Sequence, residues 1–149
     1  MNQRKSSVAK INISNLYKAV KLPTQKLKSL IRQILNEENL DYTEVNVIFV
    51  DDETIHKINR EFLNHDYPTD VISFELSDDI PIIDKVAEIY VSIDRAMEQS
   101  KFYKVEFENE VARLVAHGVL HLVGYDDKTR RGKLGMRKRE NYYIKKAGF

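Results

Sequence analysis

The sequence predicts one domain that mixes strands with helices, and three observations carry that expectation. Four short runs, residues 8 to 13, 45 to 50, 71 to 76 and 85 to 93, are apolar or β-branched enough to be strands. Between and after them, apolar residues recur every three or four positions, the spacing of helices with one buried face. A chain of 149 residues, 42% hydrophobic, is about one domain in size and can build a core without staples. The domain is expected to span residues 1 to 149.

Each element has its own warrant. VAKINI, residues 8 to 13, puts Ala9, Ile11 and Ile13 on one face of a strand. Pro23 suits the first turn of a helix running to about Asn39, with Leu27, Leu30, Ile31, Ile34 and Leu35 as its apolar stripe. VNVIFV, residues 45 to 50, predicts a buried strand, after which Asp51 or Asp52 can cap a helix with Ile55, Ile58 and Phe62 inside. His56 lies one residue off that stripe and is expected at the surface. LNHDYPT, residues 63 to 69, is a connection in which Pro68 biases Tyr67 away from helix. In or beside the strand VISFEL, Asp70 and Ser73 are polar positions three apart, which face opposite ways on a regular strand. SDDIPIID, residues 77 to 84, reads as an exposed acidic turn. KVAEIYVSI alternates as a strand with one more apolar face, and Ser92 or Asp94 can cap a helix running to about Tyr103.

Glu106 to Val123 is apolar around most of its circumference, which predicts a central, buried helix. At 100° per residue, Glu110, Arg113, His117 and His121 fall within about 80° of arc and form its single polar edge. Such an edge borders a cleft. Within it, His117 and His121 stand four apart, close enough on a helix to share an ion. Gly124 lets the chain turn back, bringing Asp126 or Asp127 to the same point. The competing reading, two core histidines satisfied by backbone partners, does not account for the polar track beside them.

The chain has no cysteine, so a metal here must use His, Asp or Glu, and thiol chemistry is excluded. Two imidazoles and one carboxylate leave a tetrahedral zinc one open position, the pattern of a catalytic site. Its net charge of +1 attracts a phosphodiester. A zinc peptidase needs Glu after the first histidine, and Gly118 stands there. The chain also lacks the glycine-rich phosphate loops and the G-x-S-x-G nucleophile turn.

Charge is segregated: residues 128 to 149 hold nine Lys or Arg and one acid, net +8, which leaves −7 on residues 1 to 127. Gly132 and Gly135 weaken a helix there, although Leu134, Met136 and Tyr143 can dock one. The charge is either a solvated surface or a nucleic-acid contact. The N-terminus has no apolar core of signal-peptide length and no segment nears the roughly 18 apolar residues of a membrane span, so a cytoplasmic protein is expected.

HGVLHLVGYDD, residues 117 to 127, resembles the signature H-G-x-L-H-L-x-G-Y-D-H of the YbeY family of bacterial metal-dependent endoribonucleases, fitting ten of eleven positions. YPTDVISFEL, residues 67 to 76, resembles the same family's P-T-D-V-L-S-F segment. This resemblance implies an α+β fold with a mixed sheet of about four strands, the histidine helix at its centre and one zinc ion at a cleft mouth. It implies His117, His121 and Asp127 as metal ligands, with Asp127 in place of a third histidine, and Arg113, Asp70 and Ser73 are the candidate catalytic residues. The implied activity is cleavage of single-stranded RNA in rRNA maturation, at the 3′ end of 16S rRNA, and in ribosome quality control. The implied partners are rRNA and the small ribosomal subunit or its assembly factors. The alternative is a metal-stabilised ribosome-assembly factor that binds RNA or protein without cutting. Besides Asp127, Leu63 replaces an arginine of the family pattern and Ala87-Glu88 replaces Gly-Asp. Arg113, Arg60 and His65 are the residues that can supply the missing cation.

Overall fold

The computed structural model describes residues 9–67, 69–76 and 85–149. It is a single-domain α+β fold with, among the described residues, a four-stranded mixed sheet and five helices. The order is β1 (Lys10–Asn15), α1 (Thr24–Glu37), β2 (Glu44–Val50), α2 (Asp52–Leu63), β3 (Val71–Glu75), β4 (Val86–Ser92), α3 (Ile93–Tyr103), α4 (Phe107–Val123) and α5 (Arg130–Lys146). The strands lie in the order β1-β2-β4-β3. β1, β2 and β4 are parallel, and β3 closes one edge antiparallel to β4, with Ile72 opposite Tyr90.

Alternation sorts the sheet into two faces. Val45, Val47 and Phe49 of β2 and Ala87, Ile89 and Val91 of β4 are fully buried on one face, in one cluster with the α1 stripe and the apolar side of α4. Under α2, Val50, Ile55 and Ile72 form a smaller cluster, joined by Ile48, Ile58, Phe74 and Tyr90. Phe62 is not part of that inner stripe. It is 70% exposed, and Asn59 is buried in its stead. β1 begins at Lys10, two residues later than the periodicity suggests. The expectations for Pro68 and for residues 77 to 84 lie outside the described residues.

The C-terminal segment is a 17-residue helix that runs through both glycines. Gly135 costs the helix about 1 kcal/mol relative to alanine, which packing must outweigh, whereas Gly132, in the first turn, leaves room for the Asp126 carbonyl, 2.5 Å from where a Cβ would lie. Met136, Glu140, Tyr143 and Ile144 give α5 a buried face, Thr129 caps its start by accepting from the Gly132 amide at 2.9 Å, and Leu134 stays 60% exposed. Glu38, just past α1, accepts from Arg139 and the Tyr143 hydroxyl. Burial pushes the Glu38 carboxyl up, but those bonds from Tyr143 and Arg139 outweigh it and hold it below its ordinary value.

α4 packs against α1, α3, α5, β3 and β4. Its approach to the sheet is set at Gly118, where a Cβ would lie 2.7 Å from the Ile89 Cγ2, 3.1 Å from the Val71 Cγ2 and 3.2 Å from the Ser73 Oγ. Ser73 uses the space to donate its hydroxyl to the Gly118 carbonyl at 2.8 Å. Gly118→Ala is therefore expected to destabilise the fold by about 1–3 kcal/mol through overpacking, despite alanine's better helix propensity. Urea unfolding checks this, and a gain in stability would show that α4 can lift from the sheet at no cost.

Candidate metal centre

On α4 the four-residue spacing puts the rings of His117 and His121 edge to face, centroids 4.5 Å apart. The helix ends at Gly124 with φ 108°, a left-handed conformation that glycine adopts without strain. There the amides of Gly124 and Tyr125 donate to the carbonyls of His121 and Leu120. The turn returns Asp127 to the histidines. Its Oδ2 lies 3.5 Å from the His117 Nε2 and its Oδ1 4.0 Å from the His121 Nε2. One donor atom from each residue falls within 4.8 Å of the others, so the group could hold a metal ion. Zinc bonds of 2.0–2.1 Å in a tetrahedral site set donors about 3.3 Å apart, which these side chains approach with small movements. Asp126, the other carboxylate of the turn, instead accepts from the Lys128 amide at 3.0 Å at the entry to α5.

The sequence reading passed over the residue that orients this group. Glu140 of α5 is 4% exposed, and its Oε2 lies 2.7 Å from the His117 Nδ1. Its Oε1 accepts from the Arg113 guanidinium at 3.2 Å. With the Nδ1–H donated to Glu140, the Nε2 lone pair faces Asp127, as a metal ligand requires. The available signal was its position: it is the one acid in the basic tail, four residues after Met136 and three before Tyr143 on the buried face of α5.

The surroundings shift the pKa values of the two imidazoles in opposite directions in the metal-free protein. Burial disfavours the charged form of His117, but the hydrogen bond and charge of Glu140, with Asp70 and Asp127, outweigh it and raise its pKa. For His121, burial and then the charge of His117 lower it. Burial also raises Glu110, against the pull of Arg113 and Arg137.

Two cavities meet here. A smaller one of about 220 Å³ is lined by Gln99, Tyr103, Glu110, Arg113 and Arg137 among others, and a larger one of about 660 Å³ by Leu63, His65, Tyr67, Ser73 and His121 among others. Asp70, His117 and Asp127 line both. The polar edge of α4 does border a cleft. Asp70 precedes β3 and accepts from the Gln99 side chain at 3.3 Å, so it shares the larger cavity with Ser73 instead of facing away from it. Arg113 is engaged by Glu140 and, at 4.0 Å, by Glu110. Arg60 lies on the exposed side of α2, 3.9 Å from Asp66. Ala87 is in the core, and Glu88 accepts from the Tyr90 hydroxyl at 2.9 Å.

A family model described as Endoribonuclease YbeY matches residues 12–148. The chain is 40% identical over 131 residues to Endoribonuclease YbeY of Chlorobium phaeobacteroides, covering 87% of this chain and 93% of that one. It is 39% identical over 123 residues to the protein of the same name from Chloroherpeton thalassium, covering 83% and 85%. Its fold is similar to the solution structure of a Thermotoga maritima protein, with TM-score 0.61, 30% identity, and coverage of 92% of this chain and 88% of that one.

The Glu140 contact has a measurable signature. Because His117 is raised, the stability it contributes is fully present below the ordinary histidine pKa and fades as pH rises through the raised value. Glu140→Gln is expected to lower the His117 pKa in NMR titrations of metal-free protein and to cost more stability at pH 5.5 than at pH 8.5. An unchanged His117 titration would rule out the contact.

Proposed function

Because the chain belongs to the endoribonuclease YbeY family and so is a nuclease that hydrolyses RNA, we propose that it works through one zinc ion held by His117, His121 and Asp127. The observation that carries this is the convergence of those three donors on one point in the wall of an open cleft. The proposed substrate is single-stranded rRNA, cut in maturation of the 16S 3′ end and in ribosome quality control. The setting is the cytoplasm, with the small ribosomal subunit or its assembly factors as partners. No helix among the described residues is long and apolar enough to cross a membrane.

When bound, zinc would lower the pKa of a coordinated water towards about 7 and polarise a phosphoryl oxygen. The residues around it divide the remaining work. Glu140, hydrogen-bonded by Arg113, accepts from the His117 Nδ1 and fixes the ring. Ser73 ties α4 to β3 beside the histidines. Asp70, half-buried and facing both cavities, is the carboxylate proposed to take the proton of the attacking hydroxyl. Arg113 and Ser73 thus act by positioning, and Asp70 at the reacting group. The exposed cations of α5, among them Lys133 and Arg137 at the smaller cavity, supply positive potential for a polyanion.

The alternative, a metal-stabilised assembly factor that binds without cutting, draws support from Leu63 in the cleft wall and from the engagement of Arg113 by two carboxylates. A variant that keeps its metal but not its cleavage, placed in cells, separates the two by whether 16S rRNA still matures.

Purified protein is expected to carry about one zinc per chain by mass spectrometry of metals. His117→Ala and His121→Ala should each lose the ion and at least about a hundredfold in cleavage of unstructured RNA. Unchanged cleavage in both variants would sink the zinc mechanism. Asp127→His should retain the ion, since imidazole is an equally good donor.

A further inference from the structure

The loop between α2 and β3 holds two aromatic rings in the open. His65 and Tyr67 are stacked, ring centroids 5.4 Å apart and planes 12° from parallel. Both are exposed, Tyr67 at 54%. Rings so placed bury little apolar surface, and hydrophobic burial does not account for their position.

The backbone beneath them is nonetheless fixed. Asn59, 2% exposed, accepts the His65 amide at 3.1 Å with its carbonyl and donates its side-chain NH₂ to the Tyr67 carbonyl at 2.8 Å. Asn64 closes α2 in the left-handed region, at φ 61°. Between the rings, Asp66 is held by His56 at 2.9 Å and lies 3.9 Å from Arg60. One buried asparagine thus fixes both ends of a three-residue surface segment, and the shape it fixes presents the rings. They line the same cleft as His117, His121 and Asp127.

We infer that His65 and Tyr67 form a stacking platform for an unpaired nucleobase, seating one nucleotide beside the bond that is cut at the metal centre. Every base has an aromatic face but exposes it only outside a duplex, so the platform selects single strands without reading sequence. A third ring on the open side of the pair extends an existing stack. Because Asn59 holds the loop in this shape before RNA arrives, little ordering is left for the binding step. The inference rests on the RNA-cleaving function proposed above.

The test is a set of short unstructured oligoribonucleotides, each with one abasic nucleotide, assayed for binding by fluorescence anisotropy and for cleavage by kcat/KM. For the zinc-loaded protein, one abasic position next to the cut should weaken binding by roughly five- to a hundredfold. Tyr67→Ala should lose a similar factor on the intact RNA and be indifferent to that abasic position, whereas Tyr67→Phe keeps the ring and the sensitivity. Zinc content and melting temperature of Tyr67→Ala should match those of the unmodified chain. If Tyr67→Ala responds to every abasic position as the unmodified chain does, or Tyr67 makes no difference to RNA at all, the platform is overturned and the rings serve another contact. RNA that is bound with the abasic pattern but not cut counts against the catalytic reading alone, and RNA that is not bound at all overturns both.

Discussion

A buried carboxylate with two partners on one helix governs this structure. Glu140 sits at 4% exposure, and an ion placed there costs several kcal/mol in lost hydration unless charged partners replace the water. Arg113 and His117 are those partners, both from α4, so α5 can bury Glu140 only by docking where they project. Formation of the C-terminal helix and orientation of the His117 ring are therefore one event. Buried ion networks of this kind are poor sources of net stability compared with apolar packing. The network is better understood as the cost of holding one imidazole tautomer in one direction.

The same logic fixes the rotation of α4 about its own axis. Successive helical residues point 100° apart. The side chain at 117 is tied to α5, and the backbone at 118 is pressed against Ile89 and bonded to Ser73. Two adjacent residues anchored to different neighbours leave the helix no freedom to turn, and His121, one turn on, inherits its direction. Gly118 thus has a packing reason to lack a side chain. The absence of a peptidase's Glu and the tight helix-to-sheet contact are one fact seen from two sides.

What was legible in the sequence follows from how far each signal reaches along the chain. α1 and β4 were readable because one face of each is the more apolar and burial writes a period into consecutive residues, whereas β2 was readable as a continuous apolar run and α4 by its single polar edge. Phe62 carries that period too, but it stands in the last turn of α2, where the smaller cluster ends. The histidine pair was legible for the same local reason, while the choice of Asp127 over Asp126 needed the family resemblance. Glu140 was not legible, because its partners lie 23 and 27 residues away and it directly follows the cations Arg137, Lys138 and Arg139. A run of charge reads as a solvated surface, and for most of α5 it is one. Asp70 and Ser73 misled for a different reason: strand alternation applies only inside a strand, and β3 begins at Val71.

The segregation of charge in the sequence is explained by what the cleft must do. Asp127, Asp70 and Glu140 line one cavity beside the histidine pair, and a cleft rich in carboxylates repels RNA even where a bound cation offsets part of the charge. A phosphodiester enters only if a positive field lies close outside, and α5 begins three residues beyond Asp127. Its exposed Arg130, Arg131, Lys133, Arg137 and Lys138 provide that field, on the helix whose buried face carries Glu140. One helix thus supplies the anion that orients the ligand and the cations that draw in the substrate. The two sets of charge meet at the smaller cavity, where Arg137 reaches to 3.9 Å from the Glu140 Oε1 and Lys133 shares the wall with Asp127. Attraction of this sort weakens as salt rises, whereas base stacking on the His65–Tyr67 pair does not depend on charge. Approach and seating are therefore carried by different physics in different parts of the chain, the first by α5 and the second by the loop that Asn59 holds.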